Sequence, residues 1–536
     1  MKQMKKIILT GLIILINQIA LAQVSFSKDI LIEDFKVFIN YLEHTHPDPY
    51  SAYGGKTEFK RQAQSLSKQI SGTTTFAQFI DMLNRFTSVL EDGHTSVSRL
   101  INKETSSSNK VLPLEFKVAT NGIFVYKTTN EYSYLHGSKL ISVNSVPIDV
   151  FAKNASLLLP AENKYGRYRL AGFFLRRAKY AKKLVNNFPF VQLDMLLPNK
   201  EKKSIKIQYI ETPQWSKKET SLKLNNENGL LYSQNIGHNS SIKYFAWHGV
   251  LSKEVIPYIK NSRTIDYLIN KTYKYSTRPT IDSVAIDGIP ELYPEFFKLM
   301  QSMKQENSDY LIIDLRFNDG GYTNLSRPLL YMLFGDKYLN YKSNSEYNRR
   351  LSKLLLKKHN VKTVEQLLDD NNTEYSLGEI EFGSFFKFDE TSTIEEKRKD
   401  SSLISYFGSG YDITKNLNGK SIYEPHIIVL TSPITFSAAY HFLYLLNEIG
   451  NITIVGVPPG QAGNTYMGNT PFELPNTKIK GSISNAVQIF YPNNHEKGKA
   501  LIPDFPMNWS DFAKYNYDEN AEIMYTLDLI RKGKIK

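Results

Sequence analysis

Ser437 stands where a hydroxyl could serve as a nucleophile. It follows the run His426-Ile-Ile-Val-Leu-Thr431, which has the pattern of a buried strand, and it opens an apolar helical stretch from about Ser437 to Ile449 that Gly450 stops. At a helix start the dipole favours negative charge, the N–H of Ala438 points where an oxyanion would form, and Ala438 and Ala439 leave room for a substrate. The same place equally suits a serine that only caps the helix. A second apolar run, Tyr310 to Leu315, ends in Arg316-Phe-Asn-Asp-Gly320-Gly321. Paired glycines permit a backbone concavity lined by N–H groups, so Gly320 or Gly321 could supply a second oxyanion donor; an ordinary strand-to-helix turn accounts for them as well. Asp314 and Arg316 read as a structural ion pair or turn anchor. His441 shares a helical face with Ser437 and is a candidate base, although a residue one turn into a core helix usually packs. His44, His46 and Asp48 lie beside Pro47 and Pro49 and read as a broken helix end rather than a metal cluster. With no cysteine in the chain, thiol chemistry and disulfides are excluded, and neither a metal nor another cofactor is expected.

These residues need elements to position them. The chain of 536 residues suggests about three compact units at roughly 150 residues each. Met1 to Lys6 is basic, Ile7 to Leu21 is apolar, and Ala20-Leu21-Ala22 precedes Gln23, the form of a secretory signal peptide spanning 1–22. A membrane anchor is the rival, opposed by Asn17, Gln18 and the small-residue cleavage site. An exported protein, periplasmic or secreted, is expected. The formal charge of +13 falls by three on removal of Lys2, Lys5 and Lys6, and the remaining cations are scattered among acids. Nucleic acid is therefore not an expected partner. The surplus suits peripheral contact with acidic envelope surfaces, though ordinary surface lysine is the plainer account. Helical spacing runs from Ile30 to Leu90, and short β-like runs separated by Gly-containing turns fill about 110 to 210. Asn225 to Arg278 reads as a connector with surface strands. Strands at 310–315, 426–431 and 452–455 with helices at 324–334 and 437–449 imply a parallel sheet with right-handed crossovers, and 337–423 is a polar insertion between them that could cover the site.

The ordered motifs make the resemblance specific. Tyr310-Leu-Ile-Ile-Asp-Leu-Arg-Phe-Asn-Asp-Gly-Gly321, Val429-Leu-Thr-Ser-Pro-Ile-Thr-Phe-Ser437-Ala-Ala, Ile454-Val-Gly456 and Leu501-Ile-Pro-Asp504 resemble, in order, the landmarks of the C-terminal-processing (tail-specific) serine peptidase family. Leu90-Glu-Asp-Gly-His94-Thr resembles an element of its tricorn-core-like branch, and Gly137 to Pro147 is similar to a segment of its PDZ-like domains. The resemblance implies an α/β fold with a ClpP/crotonase-like catalytic core (213–536, with the insertion at 337–423), an N-terminal helical cap (23–108) and a PDZ-like β domain (109–212). It implies a serine peptidase acting on a peptide or protein substrate through a Ser437 acyl-enzyme. The lysine that one branch keeps past its serine is missing, since no lysine occurs between Val457 and Thr477. The tricorn-like arrangement then makes His94 the general base and Glu496 the candidate acid, with an activity rising through an apparent pKa of about 6 to 7, as an imidazole should give. Tyr440 stands where many relatives carry glutamate. A non-catalytic binding protein on the same scaffold, as the similarity to interphotoreceptor retinoid-binding protein permits, and a small-ester hydrolase are the alternatives. Oligomeric state is not legible.

Overall fold

The computed structural model describes residues 26–97, 109–186, 188–216, 222–224, 228–237, 241–259, 262–371, 373–384, 391–399, 410–493 and 497–535. The expected signal segment 1–22, the candidate acid Glu496 and parts of the insertion lie outside them. Among the described residues no helix is long and apolar enough to cross a membrane.

The fold is α/β. Its central sheet has six strands in the order Phe505–Pro506, Thr453–Gly456, His426–Thr431, Tyr310–Asp314, Ile242–Trp247 and Leu231–Asn235, all parallel except the last. Ile312 pairs with Ile428 and Val429 with Ile454. The runs are continuously apolar because both faces are covered. Leu311, Ile313, Val429 and Ile454 pack under the helices Leu292–Glu306, Arg327–Phe334 and Ala438–Gly450. Ile312, Ile428, Leu430 and Val455 pack against Ile523 and Leu529 of the C-terminal helix Ala521–Arg531.

One sequence expectation fails here. Ile242–Trp247, taken for part of a connector with surface strands, is buried along its whole length in the sheet interior. Its polar residues misled because each has a partner: Lys243 Nζ lies 2.7 Å from Glu306 Oε2, and Tyr244 Oη donates to Asp314 Oδ2 at 2.6 Å.

A second, antiparallel sheet runs Leu114–Ala119, Gly122–Thr128, Lys139–Val143, Phe190–Leu196 and Lys202–Gln208, and its core includes the helices Ile148–Ser156 and Lys164–Arg176. Of the N-terminal helices Lys28–Thr45, Lys56–Gln69 and Phe76–Ser88, the first and third start at side-chain caps: Ser27 accepts from the Ile30 N–H, and Thr75 with Gln78 forms a capping box. Their apolar stripe, including Leu31, Phe38, Phe79 and Phe86, docks on Phe472, Leu474 and Ile483 of the long hairpin Asn464–Glu473 and Lys480–Ile489. That hairpin also pairs with Ser96–Val97 on one side and with Glu346–Arg350 of the insertion on the other. The insertion is thus stitched to the body by a strand, and 353–359 and 364–368 add short helices around Leu351, Leu355 and Val364.

Candidate active site

The strand His426–Thr431 leads through a tight loop into the helix Ala438–Gly450, and Ser437 sits at the joint with φ 54° and ψ −125°. That conformation is strained for a residue with a Cβ and persists only where surroundings over-determine it. The surroundings are explicit. Thr435 Oγ1 donates to Leu315 O at 2.8 Å, Ser432 Oγ donates to Arg316 O, and Phe436 N donates to Asn318 O at 3.2 Å, so the serine loop is sewn to the turn at the end of the neighbouring strand. Ser437 is half-buried and its side chain makes no helix-capping bond, which removes the structural reason for a serine at this place.

Gly320 lies directly against it. A Cβ there would meet Ser437 Cβ at 2.7 Å and Ala438 N at 3.1 Å, and the residue has φ 100°, so the close approach requires glycine. Its N–H donates to Asn318 Oδ1 at 3.0 Å, which engages one of the two glycine amides expected to face a substrate. Gly321 bridges to Val250 through Gly320 O and Tyr322 N, leaving its own N–H out of that pairing. In the stretch where the lysine branch would keep its base, the side chain that reaches the serine is Gln461, fully buried, whose Oε1 accepts the Ser437 N–H.

His94 comes from the turn after the helix Phe76–Ser88. Asp92 Oδ1 accepts its N–H at 2.9 Å and Ser482 Oγ donates to its carbonyl at 2.9 Å. The imidazole stacks on the ring of Phe436, centroids 5.0 Å apart at 23°, so His94 and Ser437 flank the same residue. Gly93 allows this packing, since a Cβ there would lie 2.6 Å from Phe436 Cζ and 3.0 Å from Glu162 Oε1. His94 Nδ1 faces Glu162 Oε1 at 3.6 Å, and both side chains are buried. Burial pushes the imidazole pKa down, but Glu162 and Asp92 outweigh it and leave the value above that of ordinary histidine.

Glu162 was invisible in the sequence. It precedes Asn163, the cap of the helix Lys164–Arg176, and its other oxygen, Oε2, accepts the Ala462 N–H at 2.9 Å, which fixes the carboxylate between the second sheet's helices and the core. The chain just after Glu496 runs against the same spot: a Cβ on Gly498 would lie 2.7 Å from Glu162 O. A pocket of about 430 Å3 lined by Asp48, Leu90, Glu91, Tyr466 and Lys497 reaches Glu162. The Lys497 ammonium is spent on Leu90 O at 3.0 Å and on the face of Tyr466 at 3.7 Å.

The rival His441 is engaged on both nitrogens, Nε2 with Gln488 Oε1 at 2.7 Å and Nδ1 with Thr323 Oγ1 at 3.3 Å. Burial pushes its pKa down to about 3. Tyr440 is fully buried and stacks on Phe490. Asp314 and Arg316 form the expected ion pair at 2.7 Å, with Glu522 closing it at 2.7 Å. His46 and Asp48 are separated in function: His46 Nε2 faces Asp92 Oδ2 at 3.4 Å, whereas Asp48 Oδ2 accepts from Tyr466 Oη at 3.0 Å.

The model of peptidase family S41 matches residues 281–507, the span that holds the Gly320–Gly321 turn, Ser437 and Gln461. No curated protein matches the chain's sequence. Among solved structures, mature CPAF is similar at 15% identity with a TM-score of 0.53, covering 92% of this chain and 96% of that one. Mature CPAF complexed with lactacystin is similar at 16% identity with a TM-score of 0.52, covering 93% and 98%. At these identities the likeness speaks for the fold, and it extends over the cap and the second sheet as well as the matched span. Residues 281–507, a little under half of the chain, are similar to peptidase family S41.

Proposed function

We propose that this chain is an exported serine peptidase in which Ser437 is the nucleophile, His94 the general base, Glu162 the acid that orients it, and Ala438 with Gly321 the oxyanion donors. The observation that carries the reading is the buried His94 ring, stacked beside the strained serine with Nδ1 turned to Glu162. A proton on Nδ1 facing a carboxylate leaves Nε2 as the basic nitrogen. Ser437 Oγ attacks the peptide carbonyl as Nε2 takes its proton, and the imidazolium that forms is stabilised by Glu162. The developing oxyanion meets the Ala438 N–H at the helix start. His94 then returns the proton to the leaving amine, and water repeats the sequence on the acyl-enzyme. Glu162 takes the acid's role in this assignment, and the candidate Glu496 lies outside the described residues. A lysine base is unnecessary, because Gln461 occupies the corresponding stretch as an acceptor for the Ser437 N–H.

The chain divides in this reading into the signal peptide 1–22, a cap at 23–108, a PDZ-like domain at 109–212 and the catalytic core at 213–536. A peptide would approach along the cavity between the last two, lined by Phe116, Tyr168, Arg169, Phe317, Pro433 and Ile434, since the last two residues lead directly to Ser437. A fluorophosphonate probe tests the reading: wild type is labelled at one residue, Ser437→Ala and His94→Ala are not, and fluorogenic peptides are cleaved only by the labelled form. No labelling of folded wild type would leave a binding protein on the same scaffold; labelling with ester turnover and no peptide turnover would point to the ester hydrolase.

A further inference from the structure

We propose that Asp92, His94 and Glu162 form a binding site for one divalent transition-metal cation, Zn2+ by its donor set, and that its occupancy takes His94 away from Ser437; the inhibitory half rests on the reading of His94 as the base.

The three side chains come from two distant parts of the chain and offer one ligand atom each, all within 4.8 Å of one another. They are 0%, 6% and 2% exposed. Asp92 Oδ2, His94 Nδ1 and Glu162 Oε1 are buried without a well-formed hydrogen bond; what faces them is His46 Nε2 at 3.4 Å from Asp92 Oδ2 and the 3.6 Å approach of His94 to Glu162, looser than polar atoms so deeply buried usually keep. Each carboxylate is anchored by its other oxygen: Asp92 Oδ1 holds the His94 N–H and Glu162 Oε2 holds the Ala462 N–H. His46 Nδ1 accepts the Asp48 N–H, so its Nε2 carries the proton and faces Asp92 Oδ2 at 3.4 Å. Fixed supporting groups of this kind orient metal ligands.

The spacing suits a small cation. Ligand bonds of about 2.0–2.2 Å bring two tetrahedral neighbours to about 3.4 Å, and no two ligands can stand further apart than about 4.4 Å. The His94–Glu162 pair already stands at 3.6 Å, and all three ligand atoms lie within 4.8 Å of one another. An imidazole nitrogen with two carboxylates favours Zn2+ over Mg2+ or Ca2+, which take oxygen ligands. The two buried carboxylates face the imidazoles of His46 and His94, and a divalent cation would add positive charge beside them; the neighbouring Lys497 is directed to Leu90 O. The pocket that reaches Glu162 gives an ion a way in.

The test is Zn2+ binding to chelator-treated mature protein, read by competition with a chromophoric chelator. One ion per chain is expected in wild type and equally in Ser437→Ala, with no Mg2+ competition, and at least about tenfold weaker binding in Asp92→Asn and Glu162→Gln. Because those variants could misfold, X-ray absorption on the zinc-loaded wild type gives an independent reading: one imidazole and carboxylate oxygens are expected. Absence of saturable binding, undiminished binding in both variants, or a shell without imidazole overturns the site. For the inhibitory half, Zn2+ should slow fluorophosphonate labelling of Ser437 at least tenfold, with EDTA restoring it; labelling unchanged by bound Zn2+ overturns that half. If Ser437 is never labelled even in EDTA, it is the serine peptidase reading that fails, while the binding measurement still decides the site.

Discussion

Replacing Glu162 by glutamine removes the charge opposite His94 and changes little else, because the amide oxygen can still accept the Ala462 N–H. The proposed mechanism places a positive imidazolium 3.6 Å from Glu162 Oε1 in the transition state, in a site where both groups are buried. With an effective dielectric constant of about 20, two unit charges at that distance attract by about 4.6 kcal/mol. At about 1.36 kcal/mol per decade this is roughly a thousandfold in rate. Some of it is recovered by the amide dipole, so kcat/KM for a fluorogenic peptide in chelator-treated enzyme should fall by between about 10²- and 10³-fold, with KM nearly unchanged. The pH profile moves too. The active form has neutral His94, and its pKa is raised in the wild type, so activity should rise with pH through a value above the ordinary histidine value of about 6.5. Without Glu162 burial acts with less opposition, and the limb shifts to lower pH. The same raised pKa stabilises the fold below about pH 6.5, a contribution lost as pH rises through the folded value; the variant should lack that loss. Turnover within threefold of wild type, with an unmoved pH limb, would refute the role of Glu162.

Three further substitutions separate chemistry from scaffolding. Gly320→Ala would put a Cβ 2.7 Å from Ser437 Cβ at φ 100°, so fluorophosphonate labelling should fall more than about a hundredfold, with a stability loss of about 1–3 kcal/mol by chemical denaturation. His441→Ala deprives Gln488 Oε1 of its partner and should cost about 1–3 kcal/mol of stability, while kcat per folded molecule stays within about threefold; a pH limb lost in this variant would make His441 the base. Arg316→Met takes the ion-pair partner of the buried Asp314 carboxylate, while Glu522 keeps Lys117 at 2.7 Å, and should destabilise by about 3–5 kcal/mol in urea, against little change if the ion pair were solvated.

The sequence by itself determined the parts whose physics is local. Tyr310–Asp314 and His426–Thr431 are continuous apolar runs because a parallel sheet covered on both faces admits little else, and the glycine pair and Ser437 are marked by their positions at the ends of those strands. The helical spacing from Ile30 to Leu90 is likewise local, and the structure starts two of those helices at the caps Ser27 and Thr75. Ile242–Trp247 was misread because a buried strand with Lys243 and Tyr244 looks solvent-facing until Glu306 and Asp314 are beside it. Only the tertiary structure brought Glu162 to His94, Gln461 to the Ser437 N–H and His46 to Asp92. Glu162 reaches Ala462 across 300 residues of chain. Such a contact imposes no period, turn or cap on its neighbours. The carboxylate's meaning is set by which groups face it once cap, second sheet and core have packed, and a buried charge is decided by those facing groups and not by the residues adjoining it in the chain.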